Sequence, residues 1–471
     1  MTSDPIWRKD AIGIADSFTL GEIKPSQVLN VFLSRIEALE PRLNAFAHLD
    51  VEGASSAAAA ADERQRRGER LGPLDGIPIA IKDNLYVGTQ PASWGSHLFA
   101  NFVPERDDIC VERLRAAGAV IVGKTNTPEF ALSGHTTSAR FGTTRNPWDT
   151  SLTPGGSTGG GSAAVSAGLV PLAIGTDAGG SIRTPAAYTG LLGLRPANGR
   201  VPRRYGFPPM AIDFQAIGLL ARTTRDMAML LGIVGRADPR DPASMLVPSM
   251  REVPGRPLHV GWFDSVGDEG SDDEVCTSLS SVLNQIRNLG HAVHRVAPPF
   301  DLAQLRSVWP ILSAAGAARV ARRDPQWRDK LTPAMAELVE KGLALSAADY
   351  VEALDRLQSF RADTSAKWGE YDLLVTPTTP APAWPVGEDA PATIGGRAGN
   401  GDTQGMFCGW VNAMGFAGLS VPGPVHPDGR PIGIQLVARP SGENMLLGLA
   451  ADLERLAAWD ERWPSLAIAV G

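Results

Sequence analysis

The sequence predicts an α/β fold: a single large domain in which a central, twisted mixed sheet is covered on both faces by α-helices. Short, continuously apolar runs are typical of strands that are buried on both faces. Helical patterns separate most of these runs, as expected for helices that cover a sheet. Length alone would favour about three domains, but no repeat or interdomain linker interrupts the alternation in these 471 residues.

The predicted elements begin with two helices. Ser26 is expected to cap the first, whose apolar residues keep helical spacing until Pro41 ends it. The second is expected over 57–68. Strands are expected at 78–81, 119–122, 172–175, 259–262, 373–375 and 432–437, with helices at 109–117, 224–234, 273–289 and 443–455. The Pro- and Gly-rich segment 376–405 is expected to be a long loop, because strand and helix patterns resume after it.

Composition narrows the class of protein. A hydrophobic content of 43% and a charged content of 20% are those of a soluble globular enzyme. The net charge of -7, with Lys and Arg spread along the chain, argues against a nucleic-acid partner. No apolar stretch is long enough for a membrane span and no signal sequence begins the chain, so a cytoplasmic protein without membrane contact is expected. Three distant cysteines indicate neither disulfides nor a zinc site.

Two short motif matches fail on their context. Residues 118–125 fit the phosphate-loop pattern, but their variable positions, Ala-Val-Ile-Val, favour a strand where a phosphate cradle needs a bent loop. Residues 155–159 fit the nucleophile-elbow pattern, which needs an apolar strand directly before it. A segment of loop composition precedes them instead. Neither match is taken to indicate function.

Three polar residues form a more informative set. Ser157 and Ser181 each lie in a glycine-dense loop, and Lys82 ends an apolar strand. Taken singly, a serine in such a loop often only caps a helix, and a lysine at a strand end is usually solvated. Together they supply a hydroxyl among converging backbone N–H groups and a lysine that burial could turn into a base, which is the minimum equipment for acyl transfer.

These residues resemble the amidase signature family. The signature segment corresponds to 155–195 and the family's lysine block to 75–84. Further resemblance lies at 43–46, 123–130, 144–148, 372–378 and 433–437, so it covers nearly the whole chain. The resemblance implies the amidase signature fold as one domain over 1–471, with N-terminal helices (1–70), a catalytic signature core (71–235), a more variable region that shapes the substrate pocket (240–400) and a return to the core (401–471).

The resemblance also implies a Ser–cis-Ser–Lys triad that forms an acyl-enzyme. Ser181 would be the nucleophile, Ser157 the bridging serine after a cis peptide bond, and Lys82 the general base. The family's oxyanion hole corresponds to the backbone N–H groups of Ala178, Gly179, Gly180 and Ser181. Asp177, Arg183 and Thr158 would support these loops; Thr158 stands where many relatives have a second serine. No metal or other cofactor is expected.

The substrate is expected to be a small or medium amide, because no basic cluster is available to receive a carboxylate. An uncharged apolar or aryl amide, an anilide or a carbamate fits best, and the same triad could cleave esters. Candidate pocket residues are Trp94, Phe130, His135 and Trp309, although core packing is the commoner role of large aromatics. A homodimer is kept open only because it is the commonest soluble oligomer.

The alternative is the glutamine-hydrolysing A subunit of a tRNA-dependent amidotransferase, which shares the triad. Relatives of that type carry an Arg-Tyr-Asp-Gly-like segment and a Ser-Leu-Asp-Gln-Ile-Gly run. The corresponding stretches here, 314–323 and 212–218, differ from both. A shared fold and triad do not by themselves fix the substrate, so this alternative stays open beside the autonomous amidase.

Overall fold

A computed structural model describes residues 5–470. Fifteen strands and seventeen α-helices are found in this range. The strands are β1 (Phe46–Leu49), β2 (Pro78–Lys82), β3 (Val120–Thr125), β4 (Thr137–Ser138), β5 (Gly142–Thr143), β6 (Leu172–Asp177), β7 (Leu192–Arg195), β8 (Ala216–Ala221), β9 (His259–Trp262), β10 (Ala292–Arg295), β11 (Leu373–Pro377), β12 (Thr393–Ile394), β13 (Arg397–Ala398), β14 (Ala417–Pro422) and β15 (Gly433–Ala438).

The helices are α1 (Ala11–Thr19), α2 (Pro25–Leu43), α3 (Val51–Arg67), α4 (Ile109–Ala116), α5 (Gly159–Ser166), α6 (Arg183–Thr189), α7 (Thr224–Val234), α8 (Pro242–Met245), α9 (Asp273–Asn288), α10 (Leu302–Ala321), α11 (Trp327–Lys330), α12 (Pro333–Ala344), α13 (Ala347–Lys367), α14 (Gly401–Gln404), α15 (Met406–Met414), α16 (Glu443–Ala457) and α17 (Ser465–Ile468). No helix among the described residues is both long and apolar enough to cross a membrane.

Eleven strands form one mixed sheet in the order β1-β3-β2-β6-β8-β7-β14-β15-β11-β9-β10. The strands β3, β2 and β6 run parallel, as do β11, β9 and β10, and the strands between these two groups pair antiparallel. Apolar residues of the sheet and of the helices on its two faces form separate buried clusters. The predicted fold class, a mixed sheet covered on both faces in a single domain, is confirmed.

The central strands are apolar over their whole length because both of their faces are covered. All residues of β2, β3 and β6 are buried, which is the pattern expected of parallel strands inside a sheet. Since β2 pairs in parallel with β6, with Ile81 opposite Ile174, the carboxyl ends of the two strands meet at one edge. Lys82 and Asp177 therefore end neighbouring strands at that edge.

Several predicted boundaries differ from the structure. Helix α2 begins at Pro25, and Ser26 does not cap it; instead the Ser26 hydroxyl donates a hydrogen bond to Asp62 on α3 at 2.6 Å. Pro41 lies inside the last turn, and the helix ends at Leu43. Proline lacks only the N–H that one helical hydrogen bond needs, and two further residues fit before the chain turns. Helix α3 begins at Val51, six residues before the predicted start, because alanine and glycine carry no apolar pattern.

The structure also shows the backbone of the two segments whose motif matches were rejected. Residues 120–125 of the phosphate-loop match form the buried strand β3, so the backbone there is extended and is not a cradle for phosphate. The segment before the 155–159 match forms a single isolated β-bridge at Leu152 and otherwise no strand. Both rejections are confirmed by the backbone.

One close approach between β6 and the loop before α5 is tested by substitution. A Cβ at Gly175 would lie 2.4 Å from Thr158 Cγ2, so Gly175→Ala should lower the free energy of unfolding by about 1–3 kcal/mol, measured in urea. Thr158→Ser removes that methyl group, and the double variant should recover part of the loss. Gly232→Ala is the matched control, because a Cβ there meets nothing within 4 Å. Equal stability of Gly175→Ala and the parent protein would contradict the packing described here.

Candidate active site

Lys82 lies at the carboxyl edge of β2 and β6 and has no exposed surface. Its Nζ donates hydrogen bonds to Ser157 Oγ at 2.8 Å and to Thr158 Oγ1 at 2.9 Å, and lies 3.4 Å from Thr176 Oγ1. Burial lowers the pKa of Lys82 well below its ordinary value; the Asp177 carboxylate opposes this shift, and the Arg203 guanidinium adds to it. A neutral amine in this place can accept a proton from a hydroxyl.

Ser157 and Thr158 lie between a glycine-rich turn and the amino end of α5. The Gly156–Ser157 peptide bond is cis, as the family resemblance predicts. A Cβ at Gly156 would lie 2.4 Å from the carbonyl oxygen of His135, so the turn fits only with glycine at this position. The Thr158 hydroxyl accepts from Lys82 and donates to the carbonyl oxygen of Thr176 at 3.2 Å, which ties the loop to β6.

Ser181 lies in the turn between β6 and α6 and is partly exposed. Its carbonyl oxygen accepts a hydrogen bond from the Thr158 N–H at 3.1 Å, so the two serine-bearing loops are joined through their backbones. Gly180 has φ +118, and a Cβ there would lie 2.7 Å from Cys408 Cβ on α15. Both conditions require glycine at this point of the turn.

Some backbone N–H groups of this turn donate to a protein acceptor, and others are left without one among the described residues. The Gly180 N–H donates to Asp177 Oδ1 at 2.8 Å, so this member of the predicted oxyanion hole already has a partner. Within residues 5–470, no protein acceptor is found for the N–H groups of Ala178, Gly179 or Ser181. These three groups are the ones available to a carbonyl oxygen bound beside Ser181.

Asp177 and Arg183 form a fully buried ion pair that holds the turn in shape. Arg183 Nη2 lies 2.8 Å from Asp177 Oδ1, and the N–H of Ile182 donates to Asp177 Oδ2 at 3.1 Å. Although burial opposes it, the Arg183 guanidinium keeps the pKa of Asp177 below its ordinary value. The carboxylate therefore stays charged, and one side chain fixes several backbone N–H groups of the turn.

Two polar residues from the end of the chain complete this network. Asn412 on α15 donates to Asp177 Oδ1 at 2.8 Å, and Gln435 on β15 accepts from Arg183 at 2.6 Å. Neither residue was predicted from the sequence. Each is a lone polar side chain within an otherwise apolar element, 406–414 and 433–438 respectively, and that pattern is the signal that could have identified them, because buried polar groups need partners.

A cavity of about 490 Å³ opens beside the turn. Gly156, Ala178, Gly179, Gly180 and Ser181 form one wall. The rest is mostly apolar. It comes from residues 131–134, from the segment before β8 and from the helices of the variable region and the C-terminal part, with the large apolar side chains Phe214, Leu302, Leu305, Trp309, Pro310, Leu338 and Met406. The charged residues that line it are Arg306 and Asp402. Its size and apolar lining are those of a small-molecule site.

One of the four predicted pocket residues lines the cavity, and the other three do not. Trp309 lines the cavity. Trp94 and Phe130 do not; they are each 1% exposed and lie in a buried aromatic cluster, with ring centroids 5.2 Å apart. His135 Nε2 lies 3.3 Å from the exposed Asp389 carboxylate, and His135 does not line the cavity, although the preceding residues 131–134 do. Large aromatics satisfy core packing and pocket lining equally well, so residue type alone did not separate these cases.

The chain is similar to known proteins over nearly its whole length. Residues 27–447 match the family model described as Amidase. The chain is 36% identical to the A subunit of the glutamyl-tRNA(Gln) amidotransferase of Chloroflexus aggregans, over 95% of this chain and 96% of that protein.

Solved structures give the same family. A 6-aminohexanoate cyclic dimer hydrolase in complex with its substrate has a TM-score of 0.88 and 29% identity, covering 98% of this chain and 99% of its own. A bacterial aryl acylamidase of the amidase signature family has a TM-score of 0.88 and 25% identity, with 98% of each chain covered. The protein therefore belongs to the amidase signature family and is an enzyme that acts on the carbon–nitrogen bond of amides.

Proposed function

We propose that this protein is an autonomous serine hydrolase that cleaves small or medium amides whose groups beside the scissile bond are uncharged and apolar or aromatic. The observation that carries the proposal is the position of the Lys82–Ser157 hydrogen bond next to a cavity with mostly apolar walls. Anilides and carbamates fit the same description. Esters would also react, because their leaving groups depart more easily.

In the proposed mechanism, neutral Lys82 accepts a proton through Ser157, and Ser181 Oγ attacks the carbonyl carbon of the amide. The carbonyl oxygen gains negative charge and is stabilised by the N–H groups of Ala178, Gly179 and Ser181. Gly180 holds the turn through Asp177. The relay then returns the proton to the leaving nitrogen, which departs as a neutral amine. Water hydrolyses the acyl-enzyme along the same route and regenerates Ser181.

A second candidate is the A subunit of a tRNA-dependent amidotransferase, which would hydrolyse glutamine and work with partner chains. The curated relative from Chloroflexus aggregans favours this candidate over the first, since it is similar over nearly the whole length of both chains. The cavity favours the first candidate. Arg306 is the one cationic side chain among the described residues that line it, and both of its terminal nitrogens donate to Glu269, so its charge is already paired with a carboxylate.

Activity of the isolated chain separates the two candidates. The purified protein should hydrolyse para-nitroanilides of apolar acids faster than glutamine, as measured by release of nitroaniline and of ammonia. The physical reason is that the apolar walls bind an apolar acyl group, whereas glutamine must place its carboxylate without a free cation. Glutaminase activity that appears only when partner chains are added would contradict the first candidate and support the second.

Substitution of Ser181 tests the nucleophile. Ser181→Ala should lower kcat by about four orders of magnitude or more, because the acyl-enzyme cannot form. Intact protein should gain the mass of one fluorophosphonate group on Ser181, and the variant should gain none. Ser359→Ala, on the exposed face of α13, is the matched control and should be labelled like the parent protein. Retained turnover in Ser181→Ala would exclude this residue as nucleophile.

The pH dependence tests the base. Because burial lowers the pKa of Lys82, kcat/KM should rise as the amine loses its proton and should level off below pH 10.5, the ordinary lysine value. Lys82→Arg keeps the charge but cannot deprotonate, so it should be inactive at every pH. A midpoint near the ordinary histidine value of about 6.5 that disappears in His135→Asn would instead identify His135 as the base.

A further inference from the structure

The two charged residues that line the cavity, Arg306 and Asp402, differ in their partners. Arg306 donates from both terminal nitrogens to Glu269, the second of these bonds being 2.9 Å long, and the Thr403 hydroxyl donates to the same carboxylate at 2.7 Å. Arg306 also keeps the pKa of Glu269 below its ordinary value, with Thr403 and Arg397 acting in the same direction and burial opposing it. Glu269 therefore stays ionised, and the positive charge of Arg306 is already matched.

Asp402 differs from Glu269 in having no such partner. It lies in α14, is exposed, and lines the cavity. Among residues 5–470, no hydrogen bond or ion pair to its carboxylate is found. The pKa of Arg306 is raised chiefly by its hydrogen bonds to Glu269; the charge of Asp402 acts in the same direction, and burial opposes both. Of the two charged residues that line the cavity, Asp402 is therefore the one without an ion-pair partner in the described part of the chain.

The wall that carries Asp402 leads to the turn that bears Ser181. Helix α14 is followed directly by α15, whose Met406 and Gly409 line the cavity and whose Cys408 contacts Gly180. Helix α10 packs against α15, where a Cβ at Gly409 would lie 3.6 Å from Leu305 Cδ2, and α10 contributes further apolar side chains to the lining. A bound molecule thus meets apolar side chains beside the turn and a free carboxylate where the cavity opens to solvent.

We propose that Asp402 selects amides that carry a protonated amine, joined to the scissile amide through an apolar segment. This inference rests on the proposed hydrolase function and narrows it: the groups beside the scissile bond are apolar, and the far end of the substrate is cationic. The ammonium group lies at the exposed carboxylate, where it keeps part of its hydration. A carboxylate at the same end of the substrate is disfavoured by like charge.

Matched substrates test this selection. The acyl series consists of para-nitroanilides of an ω-aminoalkanoic acid, of the alkanoic acid of equal length and of the corresponding dicarboxylic monoacid. The second series, N-benzoyl diamines and N-benzoyl alkylamines of equal length, places the charge on the leaving group. The parent protein should show the highest kcat/KM for the cationic member of at least one series, and the anionic monoacid should be the slowest.

Asp402→Asn keeps the shape of the side chain and removes its charge. It should lower kcat/KM for the cationic substrate about five- to tenfold more than for the neutral one, the effect expected of one charge pair near a protein surface. Asp402→Lys should favour the anionic monoacid. Added salt should shrink the preference of the parent protein, because exposed charges are screened.

The control is Asp363→Asn, on an exposed position of α13 outside the cavity lining; it should keep the parent's preference. Hydrolysis of all members of both series without a charge preference, or a preference that survives in Asp402→Asn, would overturn this inference and leave the hydrolase function standing. No turnover of any member would contradict the proposed hydrolase function itself.

Discussion

The structure depends on the buried amine of Lys82, which must form its hydrogen bonds without a carboxylate beside it. Lys82 has no exposed surface, and its hydrogen bonds run to hydroxyl groups of Ser157 and Thr158. A charged ammonium in such surroundings is costly because hydroxyl groups do not replace bulk water. Neutralisation lowers that cost, and a neutral amine held against a serine is also a base. The strand that buries Lys82 therefore supplies the condition for reactivity.

The buried carboxylates near Lys82 are paired with other cations. Asp177 is adjacent in the sheet, yet its carboxylate is directed to Arg183 and to backbone N–H groups of the turn. Likewise, Asp83 follows Lys82 directly but lies 3.7 Å from Lys124, a second fully buried lysine. Each carboxylate is thus held by a different cation, and Lys82 is left with the hydroxyl groups. Lys82 is therefore hydrogen-bonded to hydroxyl groups, although acidic residues lie close to it in the sequence and in the sheet.

The fold and the centre of the site could be predicted from sequence to different extents. Apolar runs such as 78–81 predicted the buried strands, and the family resemblance predicted the cis peptide bond before Ser157 and the pairing of Lys82 with that serine. Strands such as β7 and β14 were missed because their apolar runs are short: Arg195 ends the run of β7, and Ser420 interrupts that of β14. Asn412 and Gln435 were missed because their partners lie more than 200 residues away in the sequence. The N–H groups of the turn that stay available could not be predicted either, because they are those that do not donate to the Asp177 carboxylate.

The partners of Arg183 have a consequence for how the protein is made. The serine-bearing loops leave the ribosome early, but Asn412 and Gln435, which both accept from the Arg183 guanidinium, are synthesised 229 and 252 residues after Arg183. Until then, the Asp177–Arg183 ion pair lacks these partners and must be solvated by water. The turn that bears Ser181 therefore acquires its full set of side-chain partners only after Gln435 has been synthesised, close to the end of translation.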